Sequence, residues 1–430
     1  MVAITAQGSP ADCTWLPSNV EAIETISCDG ILTLRSTLEG VDIVAHTQSG
    51  QLSSFSPDGS KLAVLLPTEA EGVLNPDTRS VQDQWYLFEI ETREFELAFP
   101  RVLEGAAHNT FQWLTDGRIL RIRPETGVFE FWDAEAGTAA RIPLPIVKVA
   151  WDGMKIVWQR WGTGDSSGDA NLVIVHTAAF ENDGLNGRPD PARVPRVQQR
   201  QIAVIDTERK VVSHTYPFDR RVHGGEANQN SWHHLYAGGG HLFVTLSGFD
   251  APGGAPPASH YRFALDGSEW TQISNRGDAM LDDPGSLSQS HAVYDAHLGA
   301  FGYDRHVYIW NLRNLGIIRR FSFAPEALGG WGHGYIDAQS ERALFSFAAW
   351  NNPLIDELLY SWDWNLCKHP VPVAVVTHEL PGGFVSRARP FLSPDGRTAV
   401  WHEGRASGAT RVVLRMKTFD STCPSGFGLP

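Results

Sequence analysis

Ser56-Pro57-Asp58-Gly59 runs through Ser60 into the apolar stretch Lys61-Leu62-Ala63-Val64-Leu65-Leu66, and the same four residues return as Ser393-Pro394-Asp395-Gly396 before Arg397-Thr398-Ala399-Val400-Trp401. An Asp-Gly pair reverses the chain between two strands, because glycine takes the positive φ that other residues resist. Weaker copies lie between the two. Thr115-Asp116-Gly117 leads into Arg118-Ile119-Leu120-Arg121-Ile122, and Trp151-Asp152-Gly153 leads into Met154-Lys155-Ile156-Val157-Trp158. One strand–turn–strand unit recurring along a chain marks a repeat architecture.

A second unit follows each copy: an aromatic-rich strand, a polar turn and another strand. Examples are Trp85-Tyr86-Leu87-Phe88-Glu89-Ile90, Phe129-Glu130-Phe131-Trp132-Asp133, Ile202-Ala203-Val204-Ile205, Val307-Tyr308-Ile309-Trp310 and Leu359-Tyr360-Ser361-Trp362. Two hairpins make one four-stranded blade, and a lone blade leaves both apolar faces in water, so several must stack in a ring. The expected fold is therefore all-β: a single β-propeller over residues 1–430, with seven blades starting near Gln51, His108, Ile146, Ser231, Ser288, Trp331 and Val385. Residues 1–50 form a closing segment, residues 51–430 the blades, and residues 161–200 an insertion. The last blade has only three strands of its own, so Ile31-Leu32-Thr33-Leu34-Arg35 is expected to supply the fourth and leave no free blade edge. A strand at Asp42 to Thr47 has no place in this scheme and keeps eight blades open.

Composition agrees with short strands and tight turns. There are 41 Gly, 26 Pro and 15 Trp in 430 residues, against only 4 Met. No apolar run is long enough for a membrane helix, and a formal net charge of −14 without a basic cluster argues against nucleic acid or an anionic membrane as partner. A soluble monomer is expected. Cys13 and Cys28 near the start, with Cys367 and Cys423 toward the end, suit two disulfides and a secreted or periplasmic protein; four buried thiols in a cytosolic protein is the other reading. Ring closure favours Cys28–Cys423 with Cys13–Cys367 among three possible pairings. Residues 1–12 carry neither the basic start nor the apolar core of an export signal, which is expected to be absent or already removed.

The Ser-Pro-Asp-Gly repeats resemble those of TolB-type, WD40-like bacterial propellers, and Trp132-Asp133, Trp362-Asp363 and Gly332-His333 add pieces of a WD40 signature. That resemblance implies the fold. It implies no activity, because propellers host enzymes, binders and scaffolds alike.

The residues that precede each inner hairpin carry the chemistry. They include His108, Asn230-Ser231-Trp232-His233-His234, His291-Ala292-Val293-Tyr294, Trp331-Gly332-His333-Gly334-Tyr335 and Arg387-Ala388-Arg389. His recurs at a similar level in four blades of a chain that has 16. Imidazoles converging on one channel mouth can bind a divalent metal or move protons. Capping of the inner strands by each His is the plainer reading. His234, His291 and His333 are the expected metal ligands, though no compact metal motif specifies an ion.

His, Arg and Tyr together suit β-elimination on a uronate-containing polysaccharide or oligosaccharide. A uronate carboxylate is neutralised by Arg or a metal, and His or Tyr handles the protons. His108, His234, His291, His333, Tyr294, Tyr335 and Arg387 are the expected catalytic residues. Arg389, Asn230, Trp232 and Trp331 are expected to bind the substrate, the two indoles by stacking on sugar rings. A polysaccharide lyase is one reading. A non-catalytic propeller that binds a protein or glycan through the same face is the other. Asn182 to Asp190 has calcium-type oxygens, but Leu185 breaks the spacing of a calcium loop, so a surface loop is expected there.

Overall fold

The computed structural model describes residues 13–38, 43, 45, 54–66, 84–98, 112–113, 116–123, 128–133, 138–143, 155–163, 172–180, 199–206, 211–219, 231–238, 241–247, 259–264, 270–274, 292–295, 298–303, 306–311, 314, 316–322, 331–337, 341–347, 356–377, 388, 390–404 and 412–419. Its regular elements are strands, and every pairing among them is antiparallel.

The chain opens with β1 (Cys13–Leu16), β2 (Ile23–Cys28) and β3 (Ile31–Ser36). A three-stranded sheet follows from β4 (Lys61–Leu66), β5 (Gln84–Glu89) and β6 (Phe95–Leu97), with Phe55 bridged to Leu62 where a first strand would stand. Next come β7 (Gln112–Trp113), β8 (Ile119–Arg123), β9 (Val128–Asp133) and β10 (Thr138–Pro143), then β11 (Lys155–Thr163), β12 (Leu172–Phe180), β13 (Gln199–Asp206) and β14 (Val211–Asp219). The following sheets are β15 (Ser231–Gly238), β16 (His241–Ser247), β17 (Ser259–Ala264) and β18 (Trp270–Ser274), and β19 (Ala292–Asp295), β20 (Leu298–Tyr303), β21 (His306–Asn311) and β22 (Gly316–Ser322). Then come β23 (Trp331–Asp337), β24 (Arg342–Phe347), β25 (Asp356–Asp363) and β26 (Val371–Thr377), before β27 (Phe391–Leu392), β28 (Thr398–Gly404) and β29 (Val412–Thr418).

The last three strands join the first three in one sheet, ordered β1-β2-β3-β29-β28-β27. Leu34 stands opposite Leu414, and Leu32 opposite Met416. The pairing expected of Ile31–Arg35 with the final strand is therefore present. β2 and β1 extend the sheet further outward than the sequence suggested. This overturns the favoured disulfides: Cys13 bonds to Cys28, because the β1–β2 register sets the two opposite each other with Cα atoms 4.3 Å apart. Cys367 is disulfide-bonded as well. The stretch Asp42 to Thr47 adds no strand at its described residues, Ile43 and Ala45. Instead the Ile43 N–H donates to the Val412 carbonyl at 3.2 Å, and the Ala45 N–H to His402 Nε2 at 3.2 Å. A second difference concerns the supposed insertion, where Leu172–Phe180 is a paired strand of its sheet. Its Val173, Ile174 and Val175 read as strand once both neighbours are known. The third blade's expected start near Ile146 lies outside the described residues, as does the Asn182 to Asp190 loop.

Alternation along each strand feeds two separate cores. In β4, Leu62 and Val64 pack with Leu34, Leu414 and Met416, whereas Ala63 and Leu65 pack with Trp85, Leu87 and Ile119 on the other side. In β24, Leu344 joins the first of these cores, while Ala343 and Phe345 join Ile309, Tyr360 and Trp362. Successive side chains point to opposite faces, so these two sheets are apolar on both sides and must each sit between two others. That is blade stacking, and it makes the fold a β-propeller.

Both full Ser-Pro-Asp-Gly copies form the same clasp. Ser56 Oγ donates to Asp58 Oδ1 at 2.6 Å and accepts the Lys61 N–H at 2.9 Å; the Gly59 N–H reaches the Ser56 carbonyl at 2.8 Å. In the last sheet Ser393 Oγ donates to Asp395 and accepts the Thr398 N–H at 2.9 Å. The Ser56 hydroxyl, more than any other neighbour, holds the Asp58 carboxyl below its ordinary value; burial is the next influence and opposes it, and the Ser60 N–H and hydroxyl each lower it by less. The turns of adjacent sheets touch. Arg342 Nη1 donates to the Gly396 carbonyl at 2.6 Å, and its Nη2 lies 3.4 Å from Asp363.

These contacts separate two glycines that both hold positive φ, +77° at Gly59 and +68° at Gly396. A Cβ on Gly59 would meet the Pro394 ring, with Cδ at 3.4 Å, but one on Gly396 would lie 2.6 Å from Arg342 Cδ. Gly59→Ala should cost about 1 kcal/mol and Gly396→Ala more, about 2 to 3, in denaturant unfolding. The lowered Asp58 carboxyl contributes stability above the unfolded carboxylate value, and that contribution disappears as pH falls through the folded one. The advantage of wild type over Asp58→Asn in melting temperature should hold above about pH 4 and shrink below it.

Candidate functional site

In five successive sheets the first strand lies against the first strand of the next: β11 beside β15, β15 beside β19, β19 beside β23, and β23 beside β27. In a propeller these inner strands run the same way beside the channel, so their beginnings share one face. The Asp-Gly clasps close the other end of the hairpins.

Trp232 and His234 lie on β15, Tyr294 on β19, and Trp331, His333 and Tyr335 on β23. They are placed here by strand and register alone. His108, Asn230, His291, Arg387 and Arg389 lie outside the described residues. Register relates several of these positions. The last pair of β15 with its neighbour is Gly238↔His241, that of β19 is Asp295↔Leu298, and that of β23 is Asp337↔Arg342. Counting back four residues from each gives His234, His291 and His333. In sequence distance the others differ: His108 stands five residues before Trp113, and Arg387 and Arg389 stand five and three before Leu392.

Two of these strands are irregular at the same level. The β15 register shifts between Trp232 and His234, and the β23 register shifts between Trp331 and Gly334. Such bulges bend a strand and re-aim its side chains. The extra residue on β15 is His233, and on β23 the shift spans Gly332-His333. Neither bulge was legible in the sequence, because Trp-His-His and Trp-Gly-His read as ordinary alternation.

A buried polar layer stands at the same end. Glu357 heads β25, the third strand of its sheet, which runs parallel to β23; His402 lies near the end of β28, which runs antiparallel to β27. Glu357 Oε2 accepts the Ala388 N–H at 2.9 Å, and the His402 N–H donates to the Ala388 carbonyl at 2.7 Å. His402 Nε2 in turn accepts the Ala45 N–H, which requires that nitrogen to be unprotonated. Glu357 and His402 are only 2% and 4% exposed. Sequence reading missed both. Glu357 sits in an apolar strand run and His402 behind Val400-Trp401, with nothing local to announce a long-range partner.

No family model matches the sequence, and no curated protein matches it. Solved structures do. The oligogalacturonate lyase of Vibrio parahaemolyticus superposes with a TM-score of 0.61, over 96% of this chain and 97% of that one, at 12% identity. The β-propeller domain of the trilobed protease of Pyrococcus furiosus gives a TM-score of 0.46 over 89% and 96%, at 12% identity. The acylaminoacyl peptidase of Pyrococcus horikoshii gives 0.49 over 86% of this chain and 51% of that one, at 13% identity. At such identities the likeness speaks for the β-propeller fold alone.

The His402 acceptor can be tested without a ligand. His402→Ala leaves the buried Ala45 N–H without it and should lower stability by about 1 to 3 kcal/mol in denaturant unfolding, with His402→Gln losing less.

Proposed function

We propose that this chain is a seven-bladed extracytoplasmic propeller that cleaves a uronate-containing glycan by β-elimination where the inner strands begin. The observation that carries the reading is a shared spacing: His234 on β15 and His333 on β23 each stand four residues before the last hairpin pair of their strand, and in the sequence His291 stands four before Asp295. The full-length likeness to a protein named as an oligogalacturonate lyase supports the substrate class. The Cys13–Cys28 disulfide supports an oxidising compartment. The seven sheets and the β3–β29 pairing support a closed ring of seven blades.

In this reading Arg387 and Arg389 neutralise the uronate carboxylate, which acidifies the proton on the neighbouring ring carbon. A divalent metal ion held by His234, His291 and His333 would supply the same neutralisation, leaving His108 or a tyrosine to act as base. The base takes the ring proton, a carbon–carbon double bond forms, and the glycosidic carbon–oxygen bond breaks. Tyr294 or Tyr335 then gives a proton to the leaving oxygen. Trp232 and Trp331 stack on flanking sugars, and Asn230 hydrogen-bonds to a hydroxyl.

Incubation with oligogalacturonate and other uronate glycans should raise the ultraviolet absorbance of unsaturated uronate. His234→Ala and His333→Ala should each lower that rate about 100-fold or more while the protein stays folded. Chelation abolishes activity if the imidazoles hold a metal and leaves it intact if they act as acid and base. Binding of these glycans without any unsaturated product, with or without divalent ions, would replace the lyase with a glycan-binding module.

A further inference from the structure

The outer edge of the closing sheet is fastened by sulfur. β1 is the outermost strand of that sheet and pairs with β2 alone. Cys13, Thr14 and Trp15 are exposed and Leu16 is half-buried, so little apolar surface leaves water when this strand docks. Arg35 Cζ sits 4.8 Å from the centre of the Trp15 ring, a contact made at the surface. The backbone of β2 is shared between two neighbours. The Asp29-Gly30 turn, with φ of 49° and 75°, joins Cys28 to Ile31, and the Thr37 N–H donates to the Ala22 carbonyl at 3.0 Å. The even-numbered residues of β2 therefore bond toward β3, and the ladder to β1 falls on Thr14↔Ser27 and Leu16↔Thr25. Cys13 and Cys28 face each other at a position without ladder bonds, where the disulfide joins the strands instead.

The chain after β1 is anchored independently. Asn19 Nδ2 donates to the Phe95 carbonyl at 2.7 Å, and its Oδ1 accepts the Phe95 N–H at 2.8 Å. Ile23 and Leu34 are buried in the core. β1 can thus leave β2 without disturbing the β3–β29 pairing. Cys367 supplies the contrast: it is disulfide-bonded, but 5% exposed and packed with Phe345, Trp362 and Trp364.

We propose that Cys13–Cys28 is a thiol-exchange site, a reducible clasp that sets whether β1 stays on the sheet, and that a dithiol is its reactant. One thiolate of the dithiol attacks Cys13 Sγ on the exposed strand. A mixed disulfide forms, and the Cys13–Cys28 bond breaks with its electron pair leaving on Cys28, which takes up a proton. The second thiolate then attacks the dithiol's own sulfur in the mixed disulfide and expels Cys13, which is protonated in turn. The dithiol is oxidised to a disulfide, and the protein disulfide is reduced to two thiols. Two ladder pairs and one surface ring contact are too little to hold four residues at a sheet edge, so β1 detaches. Cys28 stays fixed at its turn, ready for the reverse exchange with a disulfide oxidant. This chemistry lies beyond the glycan reading and does not depend on it.

In the test, full-length protein is titrated with dithiothreitol, and free thiols are trapped by alkylation and read by peptide mass spectrometry. Cys13 and Cys28 should become alkylated at dithiol concentrations about tenfold or more below those that open Cys367. Hydrogen exchange over residues 13–16 should then accelerate about tenfold or more, while residues 31–36 and 412–418 keep their protection. Cys13→Ser should show the same fast exchange over 13–16 with no reductant present; if that variant does not fold, the titration of wild type decides alone. Reduction of Cys13 and Cys28 only together with Cys367 overturns the inference. So does exchange over 13–16 that is unchanged once both thiols are free, or loss of protection over 31–36 along with it. No uronate is used, so these outcomes leave the lyase reading untouched.

Discussion

Among the described side chains, the sheets of β4 and β24 are apolar on both faces, and water tolerates neither. Leu62 and Val64 turn one way from β4 and Ala63 and Leu65 the other, and each set finishes a core begun by a neighbouring sheet. Each fully buried aliphatic side chain contributes roughly 1.5 to 3 kcal/mol relative to exposure. A single four-stranded blade collects none of this on its own. Stability is therefore a property of the stack, and the stack explains why weakly similar repeats can diverge while the fold persists.

The meeting of the two chain ends follows from the same constraint. The last three strands would end in an open row of backbone groups, and β3 covers it through the Leu34↔Leu414 and Leu32↔Met416 register. Ile43 and Ala45 then pack into the same core and hydrogen-bond to Val412 and His402. The Cys13–Cys28 bridge lies outside this closure and ties only the two outermost strands to each other. Closure is thus noncovalent among the described residues, made of strand pairing and apolar burial.

The two ends of the blades divide the work. At one end the Ser-Pro-Asp-Gly clasps pack against each other and against Arg342. At the other end the inner strands begin, with His234 and His333 beside bulges and with Glu357 and His402 buried behind the neighbouring chain. Bulges bend a strand and re-aim its side chains, which regular pairing does not allow.

The sequence by itself determined the strand–turn–strand unit, the positions of most sheets and the partnership of Ile31–Arg35 with the last strand. Those features depend on local signals: Asp-Gly reversals, period-two alternation and a missing fourth strand. Tertiary structure alone decided that Cys28 pairs with Cys13, that Leu172–Phe180 belongs to a sheet, and that Glu357 reaches Ala388. Each of these depends on which residue stands opposite which across a strand or a blade junction. Register is set by packing over many residues, and no short stretch of chain carries it.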